Sequence, residues 1–120
     1  MIIAAALFNA GFAIFHMFFW RLFGWPASLE PAGKINAGII QVLNLCIIFV
    51  FLGIGAVQGT ISLTADADSI APLMLGIAAF WLFRALLQPL FFSLRHRASA
   101  VLFILFLAGS AIHALPVLLN

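Results

Sequence analysis

The stretch Ile35–Gln58 reads INAGIIQVLNLCIIFVFLGIGAVQ, without one acidic or basic side chain. At 1.5 Å per residue, a helix of that length covers roughly 36 Å, enough to cross a hydrocarbon layer of about 30 Å. Its apolar residues run on continuously instead of alternating, which favours a helix over a barrel strand. Three more stretches have the same character: Ile2–Phe23, Ile70–Ser93 and Ala98–Leu119. The composition of the 120 residues agrees, with 67% hydrophobic and 7% charged and a mean hydropathy of +1.30. A soluble domain carries about 25% charged residues, which it needs to face water. A water-soluble enzyme, a nucleic-acid binder and a disordered tail are therefore excluded. The expected fold is an all-α integral membrane protein, an antiparallel bundle of four transmembrane helices forming one domain over residues 1–120.

The connections sharpen this picture. Gly24–Lys34 contains Pro26, Pro31 and Gly33 and should break helix on both sides. Gly59–Ser69 reads as a second loop, with Asp68 or Ser69 placed to cap the third span and Pro72 in its first turn. The last connection is the short run Leu94-Arg95-His96-Arg97, so the third and fourth spans must form an antiparallel hairpin. The first span lacks a basic leading region and a small-residue cleavage site, and reads as a retained helix.

Charge sets the orientation. Arg21 and Lys34 flank the first connection and Arg95 and Arg97 lie in the third, while the second carries only acids. The positive-inside rule then places connections one and three in the cytoplasm and both termini outside. Trp20 and Trp25 fall at the cytoplasmic edge, where amphipathic rings settle. The pI of 9.5 thus reports topology rather than a phosphate-binding patch.

Polar residues inside spans are informative because each must find a partner. Asn9 and His16 share a face of the first span, and Gln41, Asn44 and Gln58 share one on the second. Arg84 and Gln88 share one on the third, with Trp81, and Ser110 and His113 share one on the fourth. Counting rise per residue, His16, Gln41, Asn44, Arg84 and Gln88 form a layer roughly 8–15 Å below the cytoplasmic ends. These five are the candidate ligand-binding residues. Asn9, Ser110 and His113 form a sparser layer nearer the external face. Interhelical hydrogen bonding is the plain role for the amides, and neutral histidine the plain state for His16 and His113.

Arg84 stands apart, because no acid lies within any span and a guanidinium stays charged. Its donors should meet oxygens of Gln41, Asn44, Gln88 or backbone carbonyls released by Pro89, or else an anion from outside the chain. Pro116 releases the carbonyl of Ile112 beside His113 in the same way.

No catalytic or metal constellation emerges. The spans hold no carboxylates for a di-metal site and no H-E-x-x-H pair. Ser110 has no orienting acid, and His16 and His113 sit at different depths, so one haem cannot join them. Cys46 reads as inert packing. Gly55-Ala56-Val57-Gln58-Gly59 permits close helix approach, within the chain or between copies.

Three segments together carry a resemblance: His16-Met17-Phe18-Phe19-Trp20-Arg21-Leu22-Phe23-Gly24-Trp25-Pro26, the Asn36–Gly55 stretch with Gln41 and Asn44, and His113-Ala114-Leu115-Pro116. The layout is similar to small bacterial four-helix inner-membrane proteins of unknown function. The resemblance implies a bacterial inner-membrane location and supplies no activity.

Two functions fit. The first is an accessory or stabilising subunit of a larger membrane complex, without chemistry of its own. The second is an oligomeric ligand-binding or transport module, whose polar pocket takes an anionic lipid, a quinone or a small anion. No resident cofactor is expected, although a bound lipid or quinone would suit the second reading. The expected partners are the bilayer and other membrane subunits or copies of the chain, and nucleic acid is not among them.

Overall fold

The computed structural model describes residues 1–64 and 67–119, for residues 67 and 68 the backbone only. In chain order these form α1 (Ile2–Met17), α2 (Phe19–Leu22), a 3-10 helix (Ala27–Ala32), α3 (Lys34–Thr64), α4 (Ala67–Phe91) and α5 (Arg97–Leu118). Most of the described residues are helical, and no strand occurs among them. α3, α4 over Ser69–Phe91, and α5 are long and apolar enough to cross a membrane, and α1 is a shorter apolar helix.

Each boundary that departs from the sequence pattern has a local cause. The first span divides at Phe18, whose amide donates to Phe15 O at 3.1 Å, an i−3 bond that tightens the turn before α2. The first connection is not irregular, since Ala27–Ala32 coils into 3-10 helix bounded by Gly24 (φ 65°) and Gly33 (φ 84°). Both of these positions lie in the left-handed region that glycine alone enters freely.

Gly59–Thr64, read above as loop, is the last part of α3. Ser and Thr favour turns in water because their hydroxyls compete for backbone groups. Here Thr64 Oγ1 donates to Thr60 O at 3.1 Å, one turn back along the helix, so the hydroxyl is satisfied without breaking it. Ser69 lies inside α4 rather than at its cap, and Asp66 and the side chain of Asp68 lie outside the described residues.

Contacts divide the chain into two compact units. In residues 6–59, α1 and α3 run antiparallel: Asn9 meets Gln58, Asn44 meets His16, and Trp20 meets Gln41. The helices approach closely at Gly55, where a Cβ would stand 3.1 Å from the backbone oxygen of Ala6. That locates the close approach within the chain. A Cβ on Gly59 would meet nothing within 4 Å.

The second unit comprises residues 1–5 and 60–120. α4 and α5 form the antiparallel hairpin expected from the short connection, with Gln88 opposite Ser99 and Trp81 opposite Phe106. Ala5, Ile70 and Met74 make its apolar core, flanked by Ile2, Ile61, Ile112 and Val117.

Candidate functional site

In residues 6–59, antiparallel pairing turns isolated stripe residues into contacts. Asn9 and Gln58, both 0% exposed, are joined by Asn9 Nδ2 donating to Gln58 Oε1 at 2.9 Å. Seven residues along α1, two turns on, His16 Nδ1 lies 2.7 Å from Phe12 O. A carbonyl can only accept, so Nδ1 carries the proton. The His16 carbonyl takes a hydrogen bond from Asn44 Nδ2 at 3.0 Å. The ring itself stacks on Phe19 at 4.4 Å and meets Phe51 edge-on at 5.5 Å.

Gln41 ends this ladder. It accepts from Trp20 Nε1 at 3.0 Å and donates to Ala37 O at 3.1 Å. Trp20 therefore does more than mark the membrane edge, a role sequence reasoning missed. Its ring also packs edge-on against Trp25 at 5.5 Å, in a cluster continued by Phe19 and Phe23.

Beside this cluster a cavity of about 490 Å³ opens at the head of α3. Gln41 and Gly38 line it from the helix, Lys34 from the first turn, and Pro26, Ala27 and Glu30 from the preceding connection. The sequence pattern shows Glu30 and Lys34 four residues apart, but the 3-10 turn between them is what brings both to one hollow.

In the hairpin unit, Arg84 Nη1 donates to Gln88 Oε1 at 3.0 Å, and Gln88 Nε2 donates to Ser99 Oγ at 2.9 Å. The guanidinium carbon lies 4.3 Å from the centre of the Phe106 ring, a cation–π contact. Phe106 is also stacked with Trp81 at 5.8 Å. Arg84 is half-buried, whereas Gln88 is only 2% exposed. The bond to Gln88 joins side chains one helical turn apart, and the guanidinium lies over a ring that the hairpin register sets opposite Trp81.

Among the acceptors expected for Arg84, Gln88 is the one that meets it within the described residues. Gln41 and Asn44 spend their hydrogen bonds in the other unit. Ser99 and Phe106 were not singled out from sequence; their signal was the hairpin register, which places them opposite Gln88 and Trp81. His113, fully buried, has Nδ1 2.7 Å from Gly109 O, and Ser110 beside it is half-buried.

The five candidate ligand residues thus fall into two sets, His16, Gln41 and Asn44 in one unit and Arg84 and Gln88 in the other. Among the described residues, no buried side-chain nitrogen or oxygen is left without a partner, and no three His, Cys, Asp or Glu side chains gather into a metal-sized group. Cys46, read as packing, is exposed on the outside of α3. The cause is that α3 spends one stripe (Asn44, Ile48, Phe51, Gln58) on burial and leaves the rest of its circumference outward.

Comparison with protein families, curated proteins and solved structures finds no match to this chain.

Proposed function

We propose that the protein is an accessory or stabilising subunit of a larger membrane complex in a bacterial inner membrane. One observation carries this reading: among the described residues the buried polar side chains are partnered within the chain, while many large apolar side chains stand outward. The buried amides of Asn9, Asn44, Gln58 and Gln88 bond within their own unit. Phe49, Phe91 and Ile104 stand outward at 78%, 74% and 63% exposure. A chain that satisfies its polar groups internally has its apolar exterior left to work with, against lipid and against other helices.

On this reading α1, the turn at Phe18 and α2 together make the first of four spans, about 32 Å long by rise per residue. The four spans assemble into one antiparallel bundle with both termini outside and the connections bearing Arg21, Lys34, Arg95 and Arg97 in the cytoplasm, as the positive-inside rule requires. The test is purification of the tagged chain in mild detergent from its own host membrane. A foreign membrane subunit at fixed stoichiometry, lost when Phe49 or Ile104 is replaced by Asn, is the expected result. A homo-oligomer carrying a co-purified small molecule overturns it.

That outcome would support the second reading, which Arg84 favours. A guanidinium has five donors, and Gln88 takes one of them. A module using Arg84 and Gln88 would take a small anion, an anionic lipid or a quinone carbonyl.

A further inference from the structure

The cavity at the head of α3 presents charges of both signs to one space. Glu30 contributes a carboxylate and Lys34 an ammonium. Both are exposed, and among the described residues no ion pair joins them. Two unlike charges that line one hollow without neutralising each other suit a ligand that itself carries both signs. Its volume, about 490 Å³, falls in the range of small-molecule sites, roughly 300–1,000 Å³.

Two further features say what kind of ligand. The lining at Gln41 is fixed, because both ends of that amide are engaged, by Trp20 and by Ala37 O. Running away from the cavity along α3, Ile35, Ile39 and Val42 are 80%, 51% and 57% exposed, and Cys46 continues the row. Spacings of four, three and four put these on one helical stripe, offset by about 100° from the stripe of Lys34, Gly38 and Gln41. A hollow carrying two charges in a largely apolar lining therefore has an outward apolar row near it on the same helix, running toward mid-span. Trp20 and Trp25 lie at the same level, where amphipathic rings mark the headgroup zone.

We propose that this cavity holds the headgroup of a zwitterionic phospholipid bearing a primary amine. Lys34 meets the phosphate, Glu30 accepts from the ammonium, and an acyl chain lies along Ile35, Ile39 and Val42. An anionic headgroup would set its charge against the Glu30 carboxylate. A trimethylated amine has no N–H to give to Glu30. This assignment does not rest on the subunit reading, and it holds for either orientation of the chain in the membrane.

The experiment uses the full chain in mild detergent, offered phosphatidylethanolamine, phosphatidylglycerol and phosphatidylcholine with matched acyl chains, with retention read by native mass spectrometry. The native chain should retain phosphatidylethanolamine about five-fold over the other two, the scale of one partly exposed charge pair. Glu30→Gln should bring phosphatidylethanolamine down to the phosphatidylcholine level, and Lys34→Gln should lower all three. Because both side chains are exposed, tryptophan fluorescence should stay native in each variant. Glycerophosphoethanolamine, the same headgroup without acyl chains, should not displace the lipid at equal concentration; displacement would make the ligand a soluble zwitterion and overturn the lipid assignment. Equal retention of the three lipids, or a preference that survives both substitutions, would overturn the site itself.

Discussion

Asn9 and Gln58 lie 49 positions apart in sequence and share a 2.9 Å hydrogen bond with neither side chain exposed. That bond fixes the register of α1 against α3, because a one-turn slip would carry the two amides past each other. Hydrogen bonds between membrane helices average about 0.6 kcal/mol with a maximum near 1.7, since the separated helices also find partners. A double-mutant cycle of Asn9→Ala and Gln58→Ala, read by SDS titration of the reconstituted protein, should therefore give a coupling of roughly 0.5–1.5 kcal/mol. A coupling indistinguishable from zero would show that these amides are held by other contacts.

Gly55 and Gly59 look equivalent in the sequence and should respond differently to the same change. A methyl at Gly55 would press on the backbone oxygen of Ala6 at 3.1 Å, and backbone cannot rotate away as a side-chain tip can. A methyl at Gly59 enters open space. Gly55→Ala should destabilise by about 1–2 kcal/mol, as overpacking does. Gly59→Ala should be neutral or slightly stabilising, since alanine is the better helix former. Thermal unfolding of the two variants side by side decides it, and equal effects would refute the close approach.

The contrast shows what could be read from the sequence. Helical class and the α4–α5 hairpin follow from apolar run lengths and the short connection at Leu94–Arg97, because lipid leaves the backbone few other choices. Stripe membership of Asn9, Gln41, Asn44, Gln58 and Gln88 follows from spacing alone. Partner identity does not. Pairing Gln88 with Ser99, or Trp20 with Gln41, needs the register between helices, which one stripe at a time cannot supply. The end of α3 departs from the loop reading for a local reason: Thr64 Oγ1 bonds Thr60 O one turn back, so its hydroxyl is satisfied inside the helix.

Cys46 gives a direct measure of what surrounds α3. It lies twelve residues past Lys34, so about 18 Å along the helix, and it faces outward. As the chain's one cysteine, it needs no engineering. A charged, membrane-impermeant maleimide should leave it unmodified in sealed or leaky membranes and modify it fully once SDS disperses the bilayer. Modification in intact membranes would mean that this face of α3 lines water instead of lipid.

Arg84 decides whether the hairpin is only scaffold. Its guanidinium bonds Gln88 and lies over Phe106. Methionine at this position keeps an unbranched stem and a favourable sulfur–ring contact with Phe106. It also leaves Gln88 with its bond to Ser99. Arg84→Met should therefore change stability by less than about 1 kcal/mol. Lysine keeps the charge but loses the planar fork that stacks on the ring, and its compact ammonium is more strongly hydrated. Arg84→Lys should cost more, about 1–2 kcal/mol, because a more strongly hydrated charge stays in the half-buried site without the fork's contacts. If instead Lys proves milder than Met, the positive charge is what the fold depends on, and an anion or an acidic partner must sit against it. Pairing each stability measurement with recovery of the complex separates the two roles: a Met variant that folds normally yet loses its partner subunit places Arg84 in the interface.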